Sequence, residues 1–121
     1  HDAVVRLLTA GNAKVAGLDF SHGVIIEGEL RKKRANRMVK WRKKYYVLSK
    51  PYGAMFFWTG SRTSVEGVIK KVRFETFLAV RHLPDKQGGR RFDLRVVTGR
   101  TMELLAASRE DAQRWVSVIR S

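Results

Sequence analysis

The feature that most constrains the fold is a change of hydrophobic period near the carboxyl end of the chain. Before Ser108, short apolar or alternating segments are separated by turn residues, a pattern typical of strands. After it, apolar residues recur at the spacing of one helix face: Ala112, Trp115, Val116 and Ile119. Ser108 followed by Asp111 is close to the capping box that starts a helix. This succession predicts a small curved sheet or barrel with one helix closing an end.

The strand pattern divides into seven segments bounded by Gly, Pro or polar residues. We predict strands at residues 24–32, 41–49, 54–59, 67–74, 76–82, 91–98 and 101–107. Trp115 is expected to anchor the helix on the sheet. Ahead of the strands, Val4, Leu7 and Leu8 predict a short helix, and residues 13–22 are predicted to be a linker. We therefore expect an N-terminal extension at 1–22 and one domain at 23–121.

The composition of the chain narrows its partners. With 121 residues, 44% of them hydrophobic, the chain is long enough for one domain with a core of its own. The net charge of +14 predicts attraction to a polyanion, either a nucleic acid or an anionic membrane surface. No apolar run approaches the roughly 20 residues of a spanning helix, so the chain is expected to lie on a membrane rather than cross it.

Nothing in the sequence suggests an enzyme. There are no cysteines, and His1, His22 and His82 have no metal-ligand spacing among them. Gly88 and Gly89 lack the strand and helix context of a phosphate-binding loop, and the acids are few and scattered. We therefore expect no catalytic residue, no metal and no cofactor.

A basic stretch without any acid, residues 31–48, joins the first two predicted strands. Side chains alternate along a strand, so Arg42 and Lys44 share a face with Leu48, a core candidate. Lys32 lies on the corresponding face of the first strand. Burying an unpaired charge is very costly, so we place these three cations at the open mouth of the barrel, where an anion can reach them.

The order of these elements, with EGELRK at 27–32, WRKKYYVL at 41–48 and the helix residue Trp115, resembles a pleckstrin homology (PH) domain. The resemblance covers residues 23–121. It implies a seven-stranded β-barrel or sandwich capped by one C-terminal α-helix, with phospholipid head groups bound beside the loop joining the first two strands. The family's motif implies Lys32, Arg42 and Lys44 as the head-group ligands, although the family has Arg at the third position. A Lys there binds phosphate as a point charge rather than as a bidentate fork.

Two further positions depart from the family's pattern. A Tyr that often contacts the inositol phosphate corresponds to Phe57, and a basic residue of the fourth strand corresponds to Glu66. These departures favour a simpler anionic lipid, phosphatidic acid, over a phosphoinositide, which remains the alternative. The basic domain behind a short N-terminal segment is also similar to the acylated PH-domain proteins of apicomplexan parasites. That resemblance implies phosphatidic acid sensing at secretory organelles, and hence a role in regulated secretion or exocytosis.

We expect peripheral membrane binding in three parts: direct phosphate contact, a long-range field, and shallow insertion. Supporting cations for the field are Lys33, Arg34, Arg37, Lys40, Lys43, Arg62 and Arg90. Insertion is assigned to Met38 and Val39, with Trp41, whose ring suits the interface. The alternative is that Met38 and Val39 fold back on the domain. Three more cations are expected only on an outer face: Lys70, Lys71 and Arg73.

Two other classes of function remain open from the sequence. Basic residues interleaved with aromatic residues also occur in proteins that bind single-stranded nucleic acid, although most aromatics here occupy predicted core positions. A protein-interaction module is the second rival, because PH-like barrels also bind peptides. We expect a monomer that is cytoplasmic and peripheral on the cytosolic face of a membrane.

Overall fold

The computed structural model describes residues 14–33 and 41–121 of the chain. The described strands are β1 Lys14–Val15, β2 Leu18–Asp19, β3 Val24–Lys33, β4 Trp41–Ser49, β5 Ala54–Gly60, β6 Val65–Arg73, β7 Phe77–Leu83, β8 Arg91–Val96 and β9 Thr101–Leu105. One α-helix, α1 Arg109–Arg120, follows them. Single 3₁₀ turns lie at Phe74–Thr76 and Gln87–Gly89.

The seven longer strands form one antiparallel sheet in the order β6-β5-β4-β3-β9-β8-β7. The sheet is curved, and β3 pairs with β4 along nearly its whole length but with β9 only at Arg31 and Lys32. The predicted architecture, mainly β with one closing helix, is therefore confirmed. Several boundaries were wrong by two residues: the fourth strand begins at Val65 rather than at residue 67, and the sixth and seventh end at Val96 and Leu105 rather than at 98 and 107. A 3₁₀ turn at Phe74–Thr76 separates the fourth strand from β7.

Alternation along the strands produces the core on the inner face of this curved sheet. Leu30, Tyr46 and Leu48 are all buried there, so the predicted core side of β3 and β4 is confirmed. The helix closes the core with Trp115, which is buried as predicted. Ser108 caps the helix, because its Oγ accepts a hydrogen bond of 3.0 Å from the backbone N–H of Asp111. Such a cap stabilises a helix by about 1 kcal/mol.

The predicted linker at 13–22 is wrong for the residues that the structure describes. Lys14–Val15 and Leu18–Asp19 form a small hairpin on the outer face of the sheet. Its apolar residues Val15 and Phe20 are buried, and the Phe20 ring stacks on Trp58 with 6.3 Å between centroids. The segment packs because β4 and β5 carry large apolar side chains on both faces, which leaves an outer apolar surface to cover. The predicted helix at residues 1–10 lies outside the described residues.

Candidate functional site

A cavity of about 440 Å³ opens between the inner face of β3–β6 and the turn that joins β8 to β9. We call it the cationic cavity, and its lining residues are Lys32, Lys44, Phe57, Lys70, Lys71, Val72, Arg73, Thr76, Val96, Thr98, Arg100 and Met102. Six of these residues are Lys or Arg and none is an acid. A concave site lined by one sign of charge concentrates counter-ions, so this cavity is suited to an anionic ligand.

Two of the three predicted head-group ligands line the cationic cavity. Lys32 and Lys44 are half-buried on the inner face, and the Lys44 ammonium lies 5.7 Å from the centroid of the Phe57 ring. Arg42 lies directly across from Lys32 in the register of β3 and β4. It therefore shares their face, but it is exposed and lies outside the cavity lining.

Four further cations of the lining were not predicted as ligands. Lys70, Lys71 and Arg73 lie on β6, and Arg100 lies in the turn before β9. The expectation that all three on β6 form only an outer face is wrong for Lys70, whereas Lys71 and Arg73 pair with the outer-face residues Phe56 and Ala54 and also border the cavity. Lys70 pairs with Phe57, an inner-face residue. Its alternation with Val72, which packs on the core, is the sequence signal that points inward. Arg73 also contacts Glu75 at 3.9 Å.

The bottom of the cavity is apolar and backed by the core. The Phe57 ring is buried and stacks on Tyr46, with ring centroids 5.0 Å apart and planes 14° apart. Burial raises the pKa of the Tyr46 hydroxyl well above its usual range, so this group stays neutral. Val96 and Met102 are also buried. The cavity therefore combines a charged opening with a neutral interior.

The PH domain family model matches residues 24–121 of the chain, which is most of its length and includes every strand of the main sheet. The chain belongs to the PH domain family. The resemblance that the sequence suggested is thus confirmed. A search of curated proteins gave no match.

The structure of this PH domain is similar to several solved PH domains. One is the PH domain of human oxysterol binding protein-related protein 11, with a TM-score of 0.64, 18% identity, and coverage of 78% of this chain and 76% of that one. Another is the C-terminal PH domain of human pleckstrin 2, with a TM-score of 0.64, 20% identity, and coverage of 80% of this chain and 80% of that one. A third is the C-terminal PH domain of pleckstrin in complex with an inositol pentakisphosphate. Its TM-score is 0.63 at 15% identity, and the match covers 80% of this chain and 95% of that one. At these identities the likeness establishes the fold.

Three predicted supporting cations of this PH domain lie on the outer face of the sheet, away from the cavity lining. Lys33 contacts Glu103 at 3.9 Å, and Lys43 contacts Glu29 at 3.8 Å. Both lysines remain about half exposed, so these surface ion pairs contribute little to stability.

Arg62 is the third, and contacts with Glu27 and Phe20 hold it on the outer face. Its Nε donates to Glu27 Oε1 at 2.6 Å, and its guanidinium lies 5.7 Å from the Phe20 ring centroid. Glu27 also accepts a hydrogen bond of 2.8 Å from the Tyr45 hydroxyl. Burial, together with this bond to Glu27, raises the pKa of Tyr45 well above its usual range. Arg62 lies on the outer face because the hairpin residue Phe20 and the carboxylate of Glu27 are both there.

Arg90 and Trp41 also lie away from the cavity lining. The Arg90 Nε donates to the backbone carbonyl of Ala106 at 2.9 Å, which ties the loop before β8 to the end of β9. Trp41 is half-buried, and the guanidinium of Arg91 lies 5.8 Å from its ring centroid. This cation–π contact covers part of the ring that was predicted to insert into a membrane.

The remaining predicted residues fall in the loop between β3 and β4, outside the described residues: Arg34, Arg37, Met38, Val39 and Lys40. Within residues 14–33 and 41–121, no three His, Asp or Glu side chains cluster as metal ligands would. The expectation that this PH domain needs no metal, cofactor or catalytic residue stays a prediction.

Proposed function

We propose that this PH domain is a non-enzymatic membrane-targeting module that binds the head group of an anionic phospholipid in the cationic cavity. The proposal rests on the lining of this cavity of about 440 Å³, which contains six cations and no acid. Lys32 and Lys44 hold the phosphate, and Arg42 adds charge from the neighbouring strand position. The pleckstrin domain bound to an inositol pentakisphosphate supports the idea that this fold can hold a phosphorylated ligand.

Phosphatidic acid is our preferred lipid. Its phosphomonoester is small and exposed, so a cluster of Lys side chains can hold it without contacts to a sugar ring. The absence of a hydroxyl at Phe57 favours this choice over a phosphoinositide. Glu66 does not bear on the choice of lipid, because it pairs with Thr59 and is not among the lining residues.

The proposed setting is the cytosolic face of a membrane, where the protein acts as a peripheral lipid sensor, with a role in regulated secretion. In the part of the chain that the structure describes, no helix has the length and apolar character to cross a bilayer. Anionic lipid attracts each Lys or Arg near its surface with about 1 kcal/mol, and this attraction is screened over roughly 10 Å in salt.

Vesicle co-sedimentation across a lipid panel tests the head-group claim. Vesicles of phosphatidic acid, phosphatidylserine and a phosphoinositide are prepared at matched surface charge, so that only head-group chemistry differs. We expect tightest binding to phosphatidic acid. Equal binding to all three would reduce the function to charge attraction, and preference for the phosphoinositide would establish the alternative ligand. Retention on oligonucleotides but not on vesicles would favour a nucleic-acid partner, and indifference to both would favour a protein partner.

Insertion of the loop between β3 and β4 is tested by Met38→Asp combined with Val39→Asp. We expect about a fivefold loss of vesicle affinity, because partial burial of two apolar side chains contributes on the order of 1 kcal/mol. The measurement is co-sedimentation with phosphatidic acid vesicles at constant salt. Because the two substitutions also lower the net positive charge by two, Thr63→Asp with Gln113→Asp, at two exposed positions outside the cavity lining, serves as the charge-matched control. Unchanged affinity in the Met38 and Val39 variant would show that these residues do not insert.

A further inference from the structure

The cationic cavity is larger than a phosphate group needs, and its interior has the wrong chemistry for a sugar phosphate. Its volume of about 440 Å³ corresponds to roughly 15 water molecules at ~30 Å³ each. We call its six cations the rim, and its four apolar residues the floor: Phe57, Val72, Val96 and Met102. The two remaining lining residues, Thr76 and Thr98, have side chains that are polar but uncharged.

This division argues against a ligand that is polar on every side. A polyphosphorylated ring carries oxygen on each carbon, and those facing the floor would lose water without gaining a hydrogen bond. Each such oxygen weakens binding on the order of tenfold. A methylene group has the opposite effect, because moving it from water to the floor favours binding about fourfold.

The rim and the floor are adjacent, so one ligand can reach both. The Lys44 ammonium lies 5.7 Å from the centroid of the Phe57 ring, which joins a phosphate-binding group directly to the apolar surface. The stack of Phe57 on Tyr46 holds that surface in place. A phosphate at the rim would therefore have the apolar surface a few ångströms from its ester oxygen.

We propose that the cationic cavity encloses the first methylenes of one alkyl or acyl chain of a phosphomonoester lipid, while the rim holds the phosphate. The inference rests on the proposed function and deepens it, since it assigns the floor to a ligand that is amphipathic rather than to a bare head group. The lipid can come from the membrane or be a free monoacyl phospholipid, and both share this chemistry.

Titration calorimetry with methyl, butyl and octyl phosphate, each below its micelle concentration, tests the proposal on the whole chain. We expect affinity to rise about tenfold from methyl to octyl phosphate, with octyl glucoside, which has the chain without the anion, binding far more weakly. Val72→Trp fills the cavity and is expected to abolish the dependence on chain length. Val68→Trp, on the same strand but 76% exposed and outside the lining, is the matched control and is expected to retain it.

A second variant protects the test against misfolding. Val72 packs against the core, so Val72→Thr, which changes polarity at nearly constant volume, is measured beside Val72→Trp, and both are first checked by thermal melting. We expect Val72→Thr to reduce the chain-length dependence about threefold. Affinity independent of chain length in the wild type overturns the inference. If phosphatidic acid vesicles still bind, the proposed function survives that result; loss of vesicle binding overturns both. Dioleoyl phosphatidic acid, which stays in vesicles, and lysophosphatidic acid below its micelle concentration distinguish the two sources: tighter binding to the first indicates a membrane lipid, and tighter binding to the second indicates a free monoacyl lipid.

Discussion

Replacing Lys32 and Lys44 together by Ala is expected to weaken binding to phosphatidic acid vesicles about 30-fold. Each lysine near an anionic surface contributes ~1 kcal/mol, and the loss of two amounts to ~2 kcal/mol. Both side chains line the cationic cavity and lie on neighbouring strands, so their removal takes away the inner pair of the rim. The affinity is measured by co-sedimentation at constant salt and constant vesicle charge.

The matched control removes the same charge elsewhere. Lys50 and Lys86 are exposed in turns and do not line the cavity. The double variant Lys50→Ala with Lys86→Ala is therefore expected to lower the affinity for phosphatidic acid vesicles about threefold or less. If both double variants lose affinity equally, the binding depends on net charge and the cavity is not the site. A smaller salt dependence in the Lys32 and Lys44 variant would agree with the loss of two phosphate contacts.

Trp115→Ala is expected to destabilise the domain by about 3–5 kcal/mol, because the largest side chain of the helix is removed from the core. Trp115 is 1% exposed and belongs to the inner core cluster with residues of β3, β4, β8 and β9. Chemical denaturation gives the free energy of unfolding, and the melting temperature is expected to fall by roughly 4 °C for each kcal/mol.

Trp41→Ala is the control for this measurement. Trp41 is the same residue type but is half-buried on the outer face, in contact with Arg91. We expect Trp41→Ala to lower the free energy of unfolding by less than half as much as Trp115→Ala, because Trp41 buries less apolar surface when the domain folds. Equal losses for the two variants would contradict the view that the helix is held on the sheet by Trp115.

Local patterns were enough to predict the architecture of the main sheet. Alternation placed Tyr46 and Leu48 in the core, and helical spacing did the same for Trp115. The same alternation predicted the inner face for Lys32 and Lys44, which the structure confirms, although their role as ligands stays a prediction. These inferences succeeded because side-chain direction within one strand or helix depends only on the local backbone period.

Residues whose place depends on a distant neighbour were not predicted. Arg62 follows β5 in the chain, but the distant Glu27 and Phe20 hold it on the outer face. The residues before β3 offered no strong strand pattern. They pack because the Trp58 side chain of β5 points to the outer face, where Phe20 covers it. Each of these contacts joins residues more than 30 positions apart, and no local period reports such a contact.

The sequence by itself determined which class of protein this is, and the tertiary structure decided the shape of its candidate site. The order of strands, the closing helix and the excess of positive charge are properties of the chain, because periodicity and composition act residue by residue. The pairing of β6 with β5 decided that Lys70 lies opposite the inner-face residue Phe57, and the curl of the sheet brought the turn with Arg100 to the inner face of β3–β6. Register and closure depend on pairing between strands, so only the folded sheet could bring six cations around one apolar floor.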